Sequence, residues 1–308
     1  MSPAPARFSA PAKINLFLHV VGRRPDGYHL IQSVMQLIDL ADEITVGLRD
    51  DGRVVRAGDV AGVPEDVDLA IRAARLLQAE SGTPVGAEIG IHKRIPMGGG
   101  LGGGSSDAAT VLLALNRLWH IDWPRERLMG LGLRLGADVP FFVGGTNAFA
   151  EGIGERLTPV VLPATCYALI HPDVSVPTAA IFGAPELTRD SEVIKILDFS
   201  KNELGDLVGL PAAGDRGGLV LRNDLEPVAA ARFDAVREAL DWLSRRIGND
   251  GPGGDWPGAQ GPARMSGSGA CVFRAFDRAE QASACIAALP ATWSGWSVRG
   301  LAAHPHAG

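Results

Sequence analysis

The sequence predicts an α+β protein of two lobes. Three observations carry that expectation. Strand-like and helix-like apolar periodicities alternate in both halves of the chain. A break in the pattern falls near residues 156–160 and sets a boundary between 1–158 and 159–308. A loop of six glycines around a single Leu101, Gly98–Gly104, is squeezed between a strand pattern and a helix pattern.

The elements follow in order. Residues 8–46 hold strand-like runs such as Ile14–Val21 and a turn at Pro25–Gly27. Asp66–Gln78 reads as a helix, because Leu69, Ile71, Ala74 and Leu77 fall on one face. Val85, Ala87, Ile89 and Ile91 alternate as in a half-buried strand. The helix after the glycine loop runs from Ser105 to Trp119, with Val111, Leu112, Leu115 and Leu118 apolar, and Arg125–Leu135 is a further helix. Residues 140–150 and 157–170 are strand-like. The second half mixes a helix, Ala229–Arg246, with strands at Cys271–Ala275 and Ser297–Leu301. Residues 248–262, rich in Gly and Pro, read as an exposed loop. The terminal HPHAG, with His304 and His306, reads as solvated rather than metal-binding.

Composition narrows the classes. With 308 residues and 46% hydrophobic content the chain supports a sizeable core. A net charge of −6 argues against a nucleic-acid surface. Cys166, Cys271 and Cys285 are odd in number and lack metal spacing, so they read as buried thiols. No 18-residue apolar run occurs, so no membrane partner is expected. MSPAPARFSA has no apolar leader core, and a cytoplasmic protein is expected. Nothing in the sequence sets an oligomeric state.

The glycine loop is the strongest chemical signal. Glycines let the backbone approach a ligand closely. The helix behind adds unpaired N–H groups and the positive end of its dipole. Together these predict an anion site, most simply for nucleotide phosphates. The Walker pattern fails, since no Lys precedes Ser105. The dinucleotide fingerprint matches at Gly98, Gly100 and Gly103. Yet a second helix follows where a strand ending in an acidic residue is needed. A protein-kinase loop would require H-R-D and D-F-G, and neither triplet occurs.

Pro96–Ser106 resembles the signature P-x-G-x-G-L-G-S-S-A of the GHMP small-molecule kinase superfamily. PAKIN (11–15) and ARMSGSGAC (263–271) resemble its first and third motifs, in the right order and at the right separation. The resemblance covers nearly the whole chain. It implies a two-lobed GHMP fold, with an ATP-binding N-terminal domain over 1–158, a C-terminal domain over 159–308 and a cleft between them. It also implies ATP as phosphoryl donor with Mg²⁺. The segments PDGYHLIQSVMQ (25–36), LGADVPFF (135–142), VSVPTAAIF (174–182) and NDLEP (223–227) resemble the branch whose substrate is an alcohol carrying cytidine diphosphate. Homoserine and mevalonate kinases are the nearest alternatives, and they need no cytidine-reading segment. A nucleotide-binding regulator with a dead site is a third reading, opposed by the retention of Lys13 and Asp138.

The resemblance assigns roles residue by residue. Lys93, Pro96, Met97, Gly98, Gly99, Gly100, Leu101, Gly102, Gly103, Gly104, Ser105 and Ser106 would hold ATP. The two serines could cap the helix and also touch phosphate or metal. An Asp before an apolar run is ordinarily a cap, but A-D-V-P makes Asp138 the catalytic base. Lys13 becomes its electrostatic partner. Asn15, Tyr28, His29, Thr178 and Phe182 would bind the substrate. Tyr28 and Phe182 would sandwich the pyrimidine, and His29 would read its edge. Asp107 is given no catalytic role.

Overall fold

Two sheets, one from each half of the chain, carry the architecture. The computed structural model describes residues 4–194, 221–244 and 256–306. Strands β1 (Ala6–Arg23) and β2 (His29–Arg49) form a long antiparallel ribbon. On its other edge β2 pairs with β4 (Gly86–His92) and with β5 (Ala148–Gly152). β3 (Val54–Ala57) joins β4 in parallel, and β6 (Arg156–Pro159) pairs with β5. The second sheet is antiparallel in the order β10–β7–β9–β8, built from β7 (Cys166–His171), β8 (Ala259–Met265), β9 (Val272–Phe276) and β10 (Ser294–Arg299).

The first-half helices are α1 (Leu69–Ser81), α2 (Gly103–Leu118), α3 (Arg125–Leu133) and α4 (Val139–Gly144). The second half has α5 (Thr178–Phe182), α6 (Glu226–Arg232), α7 (Asp234–Ser244) and α8 (Ala279–Ala287) among the described residues. No described helix is long and apolar enough to cross a membrane.

Most elements lie where periodicity places them, and the departures have local causes. α1 starts later than expected because Asp68 is its cap, accepting from Ala70 N at 3.0 Å. α2 starts inside the glycine run, with left-handed Gly102 before it. Residues 139–144 are helical, not strand-like. A short apolar run is ambiguous between the two, and Pro140 in the first turn and left-handed Gly145 at the end settle it. The strand-like run 157–170 splits into β6 and β7, which belong to different sheets. The long helix expected over Ala229–Arg246 breaks at Phe233, whose backbone is extended. Of the loop 248–262, residues 248–255 lie outside the described residues, while Ala259–Met265 forms β8. Phe182 closes a short helix rather than lying in a loop.

The tail also corrects its reading. His304 is buried, its N–H donates to Gly145 O at 2.8 Å, and its ring lies 3.3 Å from Thr110 Oγ1. His306 Nε2 accepts from Ser9 N at 2.8 Å. Burial, with His306 and Arg125 nearby, pushes the His304 pKa down to about 3. The neutral ring therefore acts as a packing and hydrogen-bonding group.

β1 is buried from Ala10 to Val20, on both faces. Ala10 packs with the α1–α2 cluster. Ile14 and Phe17 share a cluster with Tyr167, Leu169 and Phe273 of the second sheet. The end of β6 thus separates the sheets in sequence, while β1 stitches their cores together. The Tyr167 hydroxyl adds a polar stitch, donating to Gln36 Oε1 at 2.5 Å. Tyr167→Phe should cost about 1–2 kcal/mol, since buried Gln36 loses a partner. Urea denaturation would measure the loss, with kinetic constants unchanged.

Candidate active site

A cleft of about 540 Å³ lies where β1, the glycine loop, α4, α5 and the turn after β8 converge. Lys13, Asn15, Lys93, Pro96, Met97, Gly98–Ser105, Asp138, Thr178 and Phe182 line it. Ser106, Tyr28 and His29 are not in its lining. Gly267, Ser268 and Gly269 of the second lobe complete the wall.

Lys13 is the centre of the polar network. It lies on a strand buried on both faces, so its ammonium is almost cut off from water and needs partners. Nζ donates to Asn15 Oδ1 at 2.5 Å and to Gly100 O at 3.0 Å, and sits 3.7 Å from Asp138 Oδ2. Asn15 follows two positions later on the same face and donates to Ser33 Oγ at 2.8 Å. Both ends of the Asn15 amide are thereby engaged. It lines the cleft beside Lys13.

Asp138 stands at the cap position of α4, yet its side chain caps nothing. Its carboxylate is turned toward Lys13 and remains 34% exposed, whereas the Lys13 side chain is 5% exposed. A carboxylate open to the cleft beside a buried cation is placed to accept a proton from a bound hydroxyl.

The glycine run has a structural cause that sequence alone does not reveal. A Cβ on Gly100, at φ +72°, would lie 2.1 Å from Ser266 O; one on Gly102, also at φ +72°, would meet the Phe142 ring at 2.8 Å. Ala270 N donates to Gly98 O at 3.0 Å, and Cys271 N to Gly99 O at 3.1 Å. The loop is glycine-rich because the second-lobe turn and α4 press against it. That contact fixes the loop in front of the α2 N-terminus, where unpaired N–H groups and the dipole favour an anion.

The two serines part company. Ser105 lines the cleft, and its hydroxyl makes no hydrogen bond to a described residue. Ser106 is one step further round the helix and is fully buried, its hydroxyl donating to Pro11 O at 2.6 Å. Neither serine caps α2. Thr178 Oγ1 pairs with Ser268 Oγ at 2.8 Å across the cleft wall.

Lys93 is held between two carboxylates, Asp107 and Asp42, the second of which was not singled out from sequence. Its ammonium bonds Asp42 Oδ2, and Asp107 Oδ2 at 2.7 Å. Burial works to lower its pKa, but Asp107 and Asp42 outweigh this and raise it, so Lys93 is charged. Burial pushes the Asp107 carboxyl up against the pull of Lys93. Asp42 also accepts from Arg94 N at 2.5 Å and Ile95 N at 2.8 Å, anchoring the segment that leads into the loop.

On the substrate side, the His29 and Phe182 rings lie 5.0 Å apart at 35°. Phe182 both lines the cleft and packs against the second-lobe core. Tyr28 is 60% exposed on the β1–β2 turn and is not stacked with Phe182. Arg189, also missed from sequence, joins His29 to the Phe182 segment.

Comparisons with known proteins place the chain among its relatives. The GHMP kinases N terminal domain matches residues 68–146, and the GHMP kinases C terminal domain matches 196–295. The 4-diphosphocytidyl-2-C-methyl-D-erythritol kinase of Ralstonia nicotianae is 55% identical, over 96% of this chain and 94% of its own. That of Thiobacillus denitrificans is 54% identical over 97% and 96%. A crystal structure of 4-(cytidine 5′-diphospho)-2C-methyl-D-erythritol kinase superposes with a TM-score of 0.76 at 34% identity, covering 96% of this chain and all (100%) of that one. Homoserine kinase from Cytophaga hutchinsonii, at 18% identity and TM-score 0.66 over 98% and 96% of the two chains, shares the fold.

Replacing Lys93 tests the loop anchor. Lys93→Met should cost about 3 kcal/mol, because two nearly buried carboxylates lose their shared cation. Burial already raises the Asp107 pKa against the pull of Lys93; without that cation it lies further above its unfolded value, so folding takes up a proton. The deficit, measured by urea denaturation, should shrink between pH 8 and pH 5.5.

Proposed function

The chain belongs to the 4-diphosphocytidyl-2-C-methyl-D-erythritol kinase family of GHMP kinases, and we propose that its cleft transfers the γ-phosphoryl group of ATP to the 2-hydroxyl of that cytidine-linked alcohol. This is a step in the non-mevalonate route to isoprenoid precursors, and ATP as donor implies action in the cytoplasm. The observation that carries the reading is the 3.7 Å pair of Asp138 and buried Lys13 facing the glycine loop. Residues 1–158 form the ATP-binding domain and 159–308 the C-terminal domain.

The loop Gly98–Gly104 and the N-terminus of α2 cradle the triphosphate. Pro96 and Met97 flank the nucleotide. Asp138 takes the proton from the substrate hydroxyl as its oxygen bonds to the γ-phosphorus and the bond to the leaving ADP breaks. Lys13 steadies negative charge on the attacking oxygen. Tyr28, His29, Thr178 and Phe182 hold the cytidine end, with Asn15 keeping Lys13 aimed. The residues fit Mg²⁺, which draws most ligands from phosphate and water. The unpartnered Ser105 hydroxyl would hold it, and it would neutralise phosphate charge.

Asp138→Asn should lower kcat roughly 10²–10⁴-fold, with ATP affinity by calorimetry retained. Near-normal kcat in the folded variant would remove Asp138 from its role. Lys13→Met should cost a comparable factor, and the double variant should fall well short of the product of the two. The wild type should turn over the cytidine-linked alcohol but not methylerythritol phosphate. Equal turnover of both would overturn the substrate assignment and leave the kinase reading standing.

A further inference from the structure

Arg189 is the one strongly bonded charged side chain beside the substrate residues that the mechanism leaves unused. Its guanidinium donates from Nη1 to Leu187 O at 3.0 Å, and from Nη2 to Phe182 O at 3.0 Å and Ala184 O at 2.7 Å. Nε donates to His29 Nε2 at 3.0 Å. Three carbonyls therefore fix the guanidinium, and the fixed guanidinium meets the imidazole.

That contact has a chemical consequence. A guanidinium has donors only and does not deprotonate. His29 Nε2 must then present a lone pair. Burial, reinforced by Arg189 and Arg23, lowers the His29 pKa, so the ring is neutral at pH 7. A neutral imidazole with its lone pair on Nε2 carries its hydrogen on Nδ1. Nδ1 makes no hydrogen bond to any described residue, so it is a donor free for a ligand.

We infer that Arg189 is a positioning residue that locks His29 as the Nδ1–H tautomer and so makes the site prefer cytosine to uracil. The inference rests on the proposed reading of His29 as the residue facing the base edge. Cytosine N3 is an acceptor and matches an Nδ1–H donor. Uracil carries a hydrogen on N3, which opposes it. Without Arg189 the ring could take the other tautomer, accept from uracil N3–H, and lose the distinction. Arg189 also binds the carbonyl of Phe182, so one side chain sets both the reading group and the stacking face beside it.

Two measurements on the full chain test this. Nitrogen-15 chemical shifts of the His29 ring should report a protonated Nδ1 and an unprotonated Nε2 at pH 7. The opposite tautomer, or a charged ring, overturns the inference without any variant. Next, kcat/KM is compared for the cytidine-linked substrate and its uridine analogue. Arg189→Leu should reduce the wild-type preference about 10- to 100-fold, by analogy with the partners that orient metal-bound histidines. The change should lie in KM for the cytidine substrate, with KM for ATP unaltered. Full preference in a folded Arg189→Leu protein overturns the lock. A wild type that uses both substrates equally overturns the cytidine reading itself, and this inference with it. A selective wild type with the wrong tautomer overturns only this inference.

Discussion

A lysine buried on a strand with no face open to water is the constraint around which the cleft is arranged. Lys13 retains 5% of its side-chain exposure. An ammonium in that position must find its partners inside the protein. Its partners come from three places: Asn15 on its own strand, the Gly100 carbonyl of the loop, and Asp138 at the start of α4. Each belongs to an element that the reaction needs in a fixed relation to the others. Satisfying one buried charge therefore sets the separation of base, loop and first strand at once.

The second constraint is closeness. The loop touches the second-lobe turn so tightly that a single methyl group on Gly100 would collide with a backbone carbonyl. Ser266 completes the junction: it accepts from Asn15 N at 3.2 Å and donates to Gly100 O at 3.0 Å. β1, the loop and the second lobe meet on one hydroxyl. The third motif thus meets the first two in space. Its serines and glycines build the wall against which the phosphate loop is shaped, and Ser268 also reaches Thr178 on the substrate side.

Much of this was legible in the sequence, and the remainder has identifiable physical reasons. Alternation at 85–91 and the apolar face of α1 placed β4 and α1 because each is half-buried against one core. The run 139–144 misled because a helix buried on all sides has no polar face to mark its period. The tail looked solvated because its few residues carry no pattern, and only the fold supplies Thr110, Gly145 and Ser9 as partners. Lys13 and Asp138 were legible through motif resemblance, but the idle cap position of Asp138 was not. Asp42 and Arg189 were invisible for another reason. Each acts on a residue far away in sequence, 51 positions from Lys93 and 160 from His29, and neither sits in a local pattern. Ser106 shows the converse limit, since adjacent motif residues on a helix face different directions.

The charge of the chain poses a last question: how a protein of net charge −6 attracts a polyanion. The lysines of the cleft do not answer it alone. Lys93 is matched by two carboxylates and Lys13 faces a third, so the local side-chain balance is not strongly positive. What remains uncompensated is the backbone. The loop holds its peptides around a concavity, and the first turn of α2 adds N–H groups that no carbonyl of its own helix can reach. Dipoles held this way need no reorganisation when phosphate arrives, and their attraction is confined to the cleft. On the proposed reading, the paired lysines act at short range, on the oxygens of the bound ligand rather than in drawing it from solution. Such an arrangement lets the rest of the surface remain acidic while phosphate selectivity stays with backbone geometry, which side-chain substitution elsewhere on the surface leaves in place.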